Sequence, residues 1–464
     1  MQQKTNKTSV LAVLCVASFL VPFMGSAVNL SLPQISATFS MKAVSLSWIA
    51  TSYLIATAVL QVPFARLADL FGRRKMFIGG VALFGTASVL CGLTYYLQPV
   101  FPSGALLIVF RALSGVGCAM MFGTSMAILT SVFPPSERGK AIGINTAVVY
   151  LALASGPSVG GLMTHHLGWQ SLFFFTGFTG LLVAAGAFAF LKEEWIESKG
   201  ERFDGVGSLI FTVGLCCLIA GFSFLPGWPA CVLIAAGVGA SVAFVCYELR
   251  NEQPVFNVRI FSGNKVFGLS SLSALINYAC TSALVFMVSL YLQYVRGFNA
   301  QDAGWMLIAQ AVVQCLVSLF AGWLSDRVDP SRIATAGMGV IFVGLLGFIF
   351  LSPVTPIGWI ILLLVLMGAG FGMFSSPNAN VIMGSVHKKQ YGQASAVIGT
   401  MRLTGQAFSM GIAAMTISLY VGNRLIVPEL FPLFMRSFHL TFGISAALCL
   451  VGVFASSFRT RQNS

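Results

Sequence analysis

The feature that most constrains this chain is a series of fourteen apolar runs, each about 20 residues or longer and nearly free of charged side chains. The hydrocarbon core of a membrane is about 30 Å thick, and an α-helix needs about 20 apolar residues to cross it. The alternation of apolar and polar residues that is typical of membrane β-strands is absent from these runs. The sequence therefore predicts an all-α membrane protein with fourteen transmembrane helices.

The composition agrees with a membrane location and explains the charge of the chain. Hydrophobic residues make up 57% of the sequence and charged residues 8%, against about 25% charged residues in a soluble domain. The net charge is +13, but most Lys and Arg fall in every second loop, starting with the N-terminal segment. Because positively charged loops stay in the cytoplasm, we expect both termini there. We expect a multi-pass protein of the plasma (bacterial inner) membrane that contacts the lipid bilayer and binds no nucleic acid.

The ten cysteines all lie inside apolar runs, and none has the spacing of a metal site. Buried cysteines commonly act as small apolar side chains, so we predict no disulfide, no metal and no cofactor. Pairs of a nucleophile and a base are also absent from the interior of the runs, which argues against an enzyme.

The chain repeats itself at an offset of 253 to 257 residues. The segment ARLADLFGRR after the second run matches GWLSDRVDPS after the tenth, and GVGCAMMFGTS at 115 matches GAGFGMFSSPN at 368. Six helices are therefore duplicated, which is typical of a transporter with its site between two halves. We predict an N-terminal six-helix bundle at 1–191, a linker with two inserted transmembrane helices at 192–265, and a C-terminal six-helix bundle at 266–464.

Several motifs, in order, resemble the major facilitator superfamily, specifically its fourteen-helix drug:proton antiporter branch. ARLADLFGRRK at 65–75 resembles the loop motif G-x-L-A-D-R-x-G-R-K, and RALSGVG at 111–117 resembles the fourth-helix motif R-x-x-Q-G-x-G. SGPSVGG at 155–161 resembles the antiporter motif G-P-x-x-G-G, and NLSLPQI at 29–35 is similar to the first-helix motif N-V-A-L-P-x-I. The resemblance covers nearly the whole chain and implies the major facilitator fold, multidrug efflux and drug resistance.

The loop motif is the first candidate for gating. Asp69 precedes a helix that begins near Gly72, and a carboxylate close to helix N termini and to Arg73 and Arg74 can latch two helices. The repeat predicts a second latch at Asp326–Arg327. A solvated turn with positive-inside arginines is the alternative. The resemblance implies that Asp69 steadies one gating state and releases it during the transport cycle.

The antiporter motif is the second candidate for gating. Pro157 removes a helical hydrogen bond, and Gly156, Gly160 and Gly161 allow close approach of another helix. A conformational hinge and a plain packing kink are both compatible with this pattern.

Two arginines, Arg111 and Arg402, lie inside apolar runs, whereas all the acids fall in loops or at helix ends. An ionisable side chain at membrane depth costs at least about 2.5–3.5 kcal/mol, so it is a functional hypothesis by default. For Arg111 we weigh hydrogen bonding to neighbouring helices against proton relay or substrate anchoring. For Arg402 we expect contact with the substrate or with a gate. The first-helix aspartate of many relatives aligns with Met24, which leaves the proton carrier unidentified.

Polar side chains near the middle of the runs are the candidate lining of a substrate cavity. Gln310 and Gln314 are spaced i, i+4 and share one helix face, as do Arg402 and Gln406. Hydrogen bonding between helices is the alternative role for such groups. The predicted substrate cavity comprises Met24, Asn29, Arg111, Asn145, Tyr150, Asn277, Tyr278, Gln310, Gln314, Asn378, Arg402 and Gln406.

Two transport mechanisms remain open from the sequence. The first is export of small amphipathic or drug-like molecules by alternating access, coupled to protons through Asp69, Asp302 or His439. The second is export or facilitated movement of an organic anion driven by the membrane potential, because two buried arginines without buried acids make a positive cavity. In either case we expect a monomer whose partner is a small-molecule substrate.

Overall fold

A computed structural model describes residues 7–101, 103–198, 200–225, 227–251, 254–255, 258–325, 327–386 and 391–460. In this part of the chain all regular secondary structure is helical. The α-helices in chain order are α1 (Lys7–Phe39), α2 (Ala43–Phe71), α3 (Arg73–Leu97), α4 (Ala105–Val132), α5 (Pro135–Leu167), α6 (Gln170–Phe190), α7 (Gly205–Phe224), α8 (Trp228–Glu248), α9 (Arg259–Gly263), α10 (Lys265–Thr281), α11 (Ala283–Leu290), α12 (Ala300–Leu324), α13 (Pro330–Ile349), α14 (Ile357–Gly384), α15 (Tyr391–Tyr420) and α16 (Phe431–Thr460). A π-helical turn (Tyr291–Val295) continues α11, and a 3₁₀ turn (Pro428–Leu430) precedes α16.

Fourteen long helical segments run through the described residues, because α10, α11 and the π-helical turn form one segment, Lys265–Val295. Thirteen of the segments are long and apolar enough to cross a membrane. The remaining one, α15, is 30 residues long. It contains Arg402, Gln406 and several hydroxyl side chains, which lower its mean hydropathy. The prediction of an all-α membrane protein is confirmed.

Side-chain caps fix the start of several helices. Asp204 accepts a hydrogen bond from the backbone N–H of Gly207 at the start of α7, and Asn299 accepts one from Asp302 at the start of α12. Asn264 caps the first turn of α10 in the same way. Asp and Asn are preferred at this position because their side-chain oxygens satisfy N–H groups that have no helical partner.

The sequence repeat appears as matching glycine crossings in the two halves. In the N-terminal half, a Cβ placed on Gly80 of α3 would lie 2.9 Å from the carbonyl oxygen of Gly117 in α4. In the C-terminal half, a Cβ on Gly337 of α13 would lie 2.8 Å from the carbonyl oxygen of Gly370 in α14. Only small residues allow helices to approach this closely. The duplicated sequence therefore folds into duplicated packing.

The two halves meet chiefly where α5 packs on α12, α2 on α15 and α1 on α11. The inserted helix α7 packs on α8 and also on α2 and α15, so it covers one seam between the halves. Thr212 of α7 donates a hydrogen bond to the carbonyl oxygen of Val59 in α2 at 3.2 Å. Phe222 of α7 contacts Phe408 of α15, with ring centroids 5.3 Å apart. Two halves with two added helices agree with the predicted architecture, and the boundaries at 191 and 265 remain predictions.

We call the face with the α2–α3 turn the inner face and the face with the α1–α2 turn the outer face, following the orientation that the Lys and Arg distribution predicts.

Candidate functional site

Arg111 lies inside the N-terminal half and is 1% exposed. Its Nε donates a hydrogen bond to the carbonyl oxygen of Ile49 in α2 at 3.0 Å. The guanidinium carbon lies 4.3 Å from the centre of the Tyr53 ring and 6.0 Å from that of Phe173 in α6. One of its terminal nitrogens is buried without a hydrogen-bond partner among the described residues. Of the roles that the sequence left open, these contacts favour the one in which Arg111 joins neighbouring helices.

Arg402 lies at the contact between the two halves. Its guanidinium, carried by α15, lies over the ring of Phe122 in α4 at 5.2 Å from the ring centre. The side chain is half-buried, and within the described residues it has no hydrogen-bond or ion-pair partner. A cation–π contact is worth about 0.5–2 kcal/mol, less than the about 2.5–3.5 kcal/mol that an arginine costs at membrane depth. Arg402 therefore keeps its N–H donors for water or a ligand.

Aromatic side chains from both halves lie next to Arg402 or to its neighbour Tyr278. Tyr278 of α10 contacts Phe371 of α14 edge to face, with ring centroids 5.4 Å apart. Tyr278 also lies within electrostatic range of Arg402 and Tyr150. Tyr150 of α5 shares a hydrogen bond with the Ser318 hydroxyl of α12 at 2.9 Å. We call the following residues, each near the middle of its helix, the central cluster: Phe122, Tyr150, Tyr278, Phe371 and Arg402.

Three predicted cavity asparagines are buried. Asn277 of α10 is 0% exposed, and neither atom of its amide group has a hydrogen-bond partner among the described residues. Asn378 of α14 donates to the carbonyl oxygen of Ser270 at 3.2 Å, inside the C-terminal half. Asn145 of α5 is 8% exposed. Their lining of a substrate cavity stays a prediction.

The predicted glutamines lie beside the central cluster on α12 and α15. The backbones of Gln310 and Gln314 pack against α14, where Gly368 and Gly372 face their carbonyl oxygens. Gln406 is half-buried one helical turn beyond Arg402, so it shares the face of α15 that carries the guanidinium.

The two predicted residues of α1 have different surroundings. Met24 is 0% exposed, and its sulfur lies 3.7 Å from the Thr176 hydroxyl of α6, inside the N-terminal half. The side-chain amide of Asn29 donates to the carbonyl oxygen of Gly25 at 3.2 Å. The carbonyl oxygen of Asn29 accepts a hydrogen bond from Ser289 of α11 at 2.9 Å. Asn29 therefore takes part in a contact between the halves through its backbone.

The described carboxylates lie in loops or in the end turns of helices. Asp302 is in the first turn of α12, where it accepts a hydrogen bond from the Asn299 amide at 2.9 Å. His439 of α16 donates through Nε2 to the carbonyl oxygen of Leu351 at 2.7 Å, in the loop after α13. Both predicted proton carriers are therefore near the outer face, and Asp69 is at the inner face.

The antiporter motif brings α5 against α1 within the N-terminal half. A Cβ on Gly160 would lie 2.5 Å from the Cβ of Ala27, and one on Gly156 would overlap the side chain of Ser26. These two glycines are therefore required by close helix approach.

The same motif also brings α5 against α12 of the other half. Gly161 faces the carbonyl oxygen of Ala300, and Gly304 faces the carbonyl oxygen of Pro157. These crossings close the outer side of the seam between the halves. The contacts are compatible with a conformational hinge and with a packing kink, so both roles stay open.

The predicted latch at the inner face is formed around the α2–α3 turn. Asp69 and Arg73 make an ion pair across the turn at 2.8 Å. Arg73 also contacts Glu197 at 2.9 Å and donates to the Ser131 hydroxyl of α4 at 3.2 Å. In this structure the latch therefore joins helices of the N-terminal half to the linker.

The acidic segment 191–204 wraps this turn, a contact that the sequence reasoning missed. Glu194 accepts a hydrogen bond from the backbone N–H of Arg74 at 2.8 Å, and Glu201 pairs with Arg66 at 2.5 Å. The Arg74 guanidinium donates to carbonyl oxygens at the end of α6. Gly72 has a φ of 119°, and the Glu194 carboxylate occupies the position of a Cβ there, so glycine is required. The high density of acidic residues in this segment was the sequence signal that could have indicated its contact with the arginines of the turn.

The predicted second latch is only partly visible. Asp326 lies outside the described residues. Arg327 stacks on Trp323, with 4.0 Å between the guanidinium carbon and the ring centre. The role of Asp326 and Arg327 as a second latch stays a prediction.

Phe122 and Phe371 were not among the predicted site residues. The chain has 40 phenylalanines, so composition does not single out these two. Both lie in the glycine-rich segments of α4 and α14 that the repeat matches. That position was the signal that could have found them.

Comparison with known proteins agrees with the fold. The profile of the Major Facilitator Superfamily matches residues 14–410 and 271–463. Cephamycin export protein CmcT of Amycolatopsis lactamdurans is 33% identical over 88% of this chain and 85% of that protein. Riboflavin transporter RibZ of Clostridioides difficile is 26% identical over 98% of both chains. Multidrug resistance protein Stp of Mycobacterium tuberculosis is 28% identical over 90% of this chain and 78% of that protein.

Solved structures show the same fold at low sequence identity. A bacterial homolog of the human lysosomal transporter Spinster, crystallised inward-facing and unoccupied, aligns with a TM-score of 0.71 at 17% identity, over 99% of this chain and 98% of that one. A D-xylose-proton symporter aligns with a TM-score of 0.67 at 13% identity, over 97% of each chain. With its duplicated halves and these matches, the chain belongs to the major facilitator superfamily, as a multi-pass membrane transporter and not an enzyme.

Proposed function

We propose that this chain exports small amphipathic or drug-like molecules by alternating access, with coupling to protons. The central cluster carries this proposal, because α4 and α5 of one half and α10, α14 and α15 of the other contribute its side chains. A molecule held there contacts both halves, so it can cross only as the halves move relative to each other. Relatives whose names state cephamycin export, tetracenomycin C resistance and export, and multidrug resistance support export as the direction.

The contacts at the two faces support an exchange between two states. At the outer face, Ser289 of α11 bonds Asn29 of α1, and glycines of α5 and α12 cross closely. At the inner face, the ion pairs of Asp69, Arg73 and Arg66 lie within the N-terminal half and the linker. Opening to the outside requires the outer contacts to separate, with both termini on the cytoplasmic side. Because one chain builds the whole cluster, a monomer suffices.

The coupling step has a second candidate. The proposed proton carriers Asp69, Asp302 and His439 lie toward the faces, so they would act on the gates and not on the bound molecule. The half-buried Arg402 favours movement of an organic anion driven by the membrane potential instead. Export of one negative charge across a membrane potential of 100 mV, inside negative, releases about 2.3 kcal/mol.

Proteoliposomes loaded with ethidium, riboflavin or 2-naphthoate test the proposal. We expect at least one probe to leave faster than from protein-free liposomes, and faster still when the outside is acidified. Equal flux from liposomes with and without protein, for all three probes, would contradict transport of this kind. Flux that ignores the proton gradient but follows an imposed potassium diffusion potential would favour the anion mechanism.

A further inference from the structure

The two arginines in the membrane-spanning helices differ in access, and this difference narrows the class of substrate. Arg111 is 1% exposed and packed against Tyr53, so a ligand cannot reach it. Arg402 is half-buried between the halves, and the described residues offer its guanidinium no carboxylate. The positive charge at the centre of the protein therefore belongs to Arg402.

An arginine in this position needs a counter-charge when the cavity closes. Water can solvate the guanidinium while the cavity is open, but closure removes water. Stacking on Phe122 alone stabilises the cation by less than its burial in the membrane costs. A carboxylate supplies the missing charge and accepts two parallel N–H hydrogen bonds from the guanidinium fork. A cationic ligand would instead add a second positive charge in a poorly screened site.

The side chains around Arg402 define the rest of the ligand. Phe122 lies under the guanidinium, and Tyr278, within electrostatic range of the guanidinium, contacts the ring of Phe371. The Tyr150 hydroxyl is already bonded to Ser318. Flat aromatic groups pack well against such rings, whereas a compact, strongly hydrated anion would find few donors besides Arg402.

We propose that Arg402 anchors a binding site for organic acids that combine a flat aromatic body with a carboxylate. The acid group pairs with the guanidinium of α15, and the aromatic body packs against Phe122 of α4. Because these two residues belong to different halves, the bound acid contacts one half with its carboxylate and the other half with its aromatic body. Arg402 is then the residue that determines charge specificity, and this assignment rests on the proposed transport function for its role in the cycle.

Three probes of the same shape test the charge preference: 2-naphthoate, 2-naphthamide and 2-naphthylmethylamine. Their binding to the purified full chain in nanodiscs is measured by calorimetry. We expect 2-naphthoate to bind at least about tenfold more tightly than the amide, as for a hydrogen-bonded charge pair. Arg402→Gln should remove that tenfold preference and leave the affinity for the amide unchanged. Arg402→Lys, which keeps the charge but not the fork, should retain part of it.

The matched control is Arg436→Gln, which removes an equal charge from an exposed position in α16 and should alter neither affinity. Tighter binding of the amine or amide to the parent protein, no binding of any probe, or an unchanged preference in Arg402→Gln would overturn the inference. Export of ethidium or riboflavin without any preference for acids would overturn it and leave the proposed function intact. Binding of 2-naphthoate through Arg402 without flux of any probe would contradict the proposed function and leave the site intact.

Discussion

Arg111 and Arg402 are the same residue type in membrane-spanning helices, but they lie in regions of opposite character. Arg111 is enclosed by α2, α4 and α6, where a backbone carbonyl and an aromatic ring engage its guanidinium. Arg402 reaches across the seam between the halves, where one ring is its only contact of this kind among the described residues. Depth in the membrane therefore does not decide the role of an arginine. Its accessibility does, because an enclosed arginine can only stabilise the fold, whereas an accessible arginine can bind a ligand.

The largest expected effect is on stability, from Arg111→Ala. Removing a side chain that is 1% exposed leaves a cavity and an unpaired carbonyl group, which should lower the free energy of unfolding by about 2–5 kcal/mol. Arg402→Ala should lower it by less than about 1 kcal/mol, because its half-buried side chain makes no hydrogen bond with the described residues. Thermal unfolding of both variants in the same detergent measures the difference. Equal loss of stability in the two variants would contradict the distinction between an enclosed Arg111 and an accessible Arg402.

A new charge inside the N-terminal half should destabilise the fold and should not drive transport. The family resemblance makes position 24 the natural place for an acid, but Met24 is 0% exposed against α6. Met24→Asp should cost about 1–3 kcal/mol as a buried polar group without a full set of partners. It should not make flux depend more strongly on a proton gradient than it does in the parent protein. Met24→Leu is the control for volume, and a gain of proton-driven flux in Met24→Asp alone would contradict this placement of Met24.

A smaller effect is expected from the ring beneath Arg402. Phe122→Leu removes the cation–π contact, which should weaken binding of 2-naphthoate by about two- to fivefold. Phe454→Leu makes the same change at a lipid-facing position that is 57% exposed and should have no effect. Equal affinities of the parent and the Phe122→Leu protein, measured by calorimetry, would remove Phe122 from the site.

The smallest effect on stability is expected at the inner face. Glu197→Gln removes a partly exposed ion pair with Arg73, worth less than about 1 kcal/mol. We nevertheless expect faster transport, because the family resemblance implies that the latch around Asp69 steadies one gating state and the variant loses one contact of that latch. Probe flux should also depend less on ionic strength than in the parent. Unchanged flux with unchanged salt dependence would show that segment 191–204 does not restrain the turn.

Much of the fold could be predicted from the sequence. Fourteen apolar runs predicted the helices, and the repeat predicted two matching halves, which the crossings of Gly80 with Gly117 and of Gly337 with Gly370 display. Such features depend on local composition and on a repeat that is visible in the letters. The motifs likewise indicated the family, because their residues occur in order at the ends and crossings of helices.

The site was only partly predictable, because the direction of a side chain depends on how helices rotate against each other. Arg402, Tyr150 and Tyr278 were predicted and do come together, whereas Met24 and Arg111 were predicted for the same cavity and pack inside one half. Helix periodicity relates residues on one helix, but it does not say which face meets the other half.

The most direct test of the account is a reversal of charge preference. Arg402→Glu places a carboxylate at the only charged residue of the central cluster. In nanodiscs, this variant should bind 2-naphthylmethylamine more tightly than 2-naphthoate, the opposite of the parent protein, while Arg111→Gln should keep the preference of the parent. An Arg402→Glu protein that still binds 2-naphthoate more tightly than 2-naphthylmethylamine would contradict the claim that Arg402 determines the charge preference for the substrate.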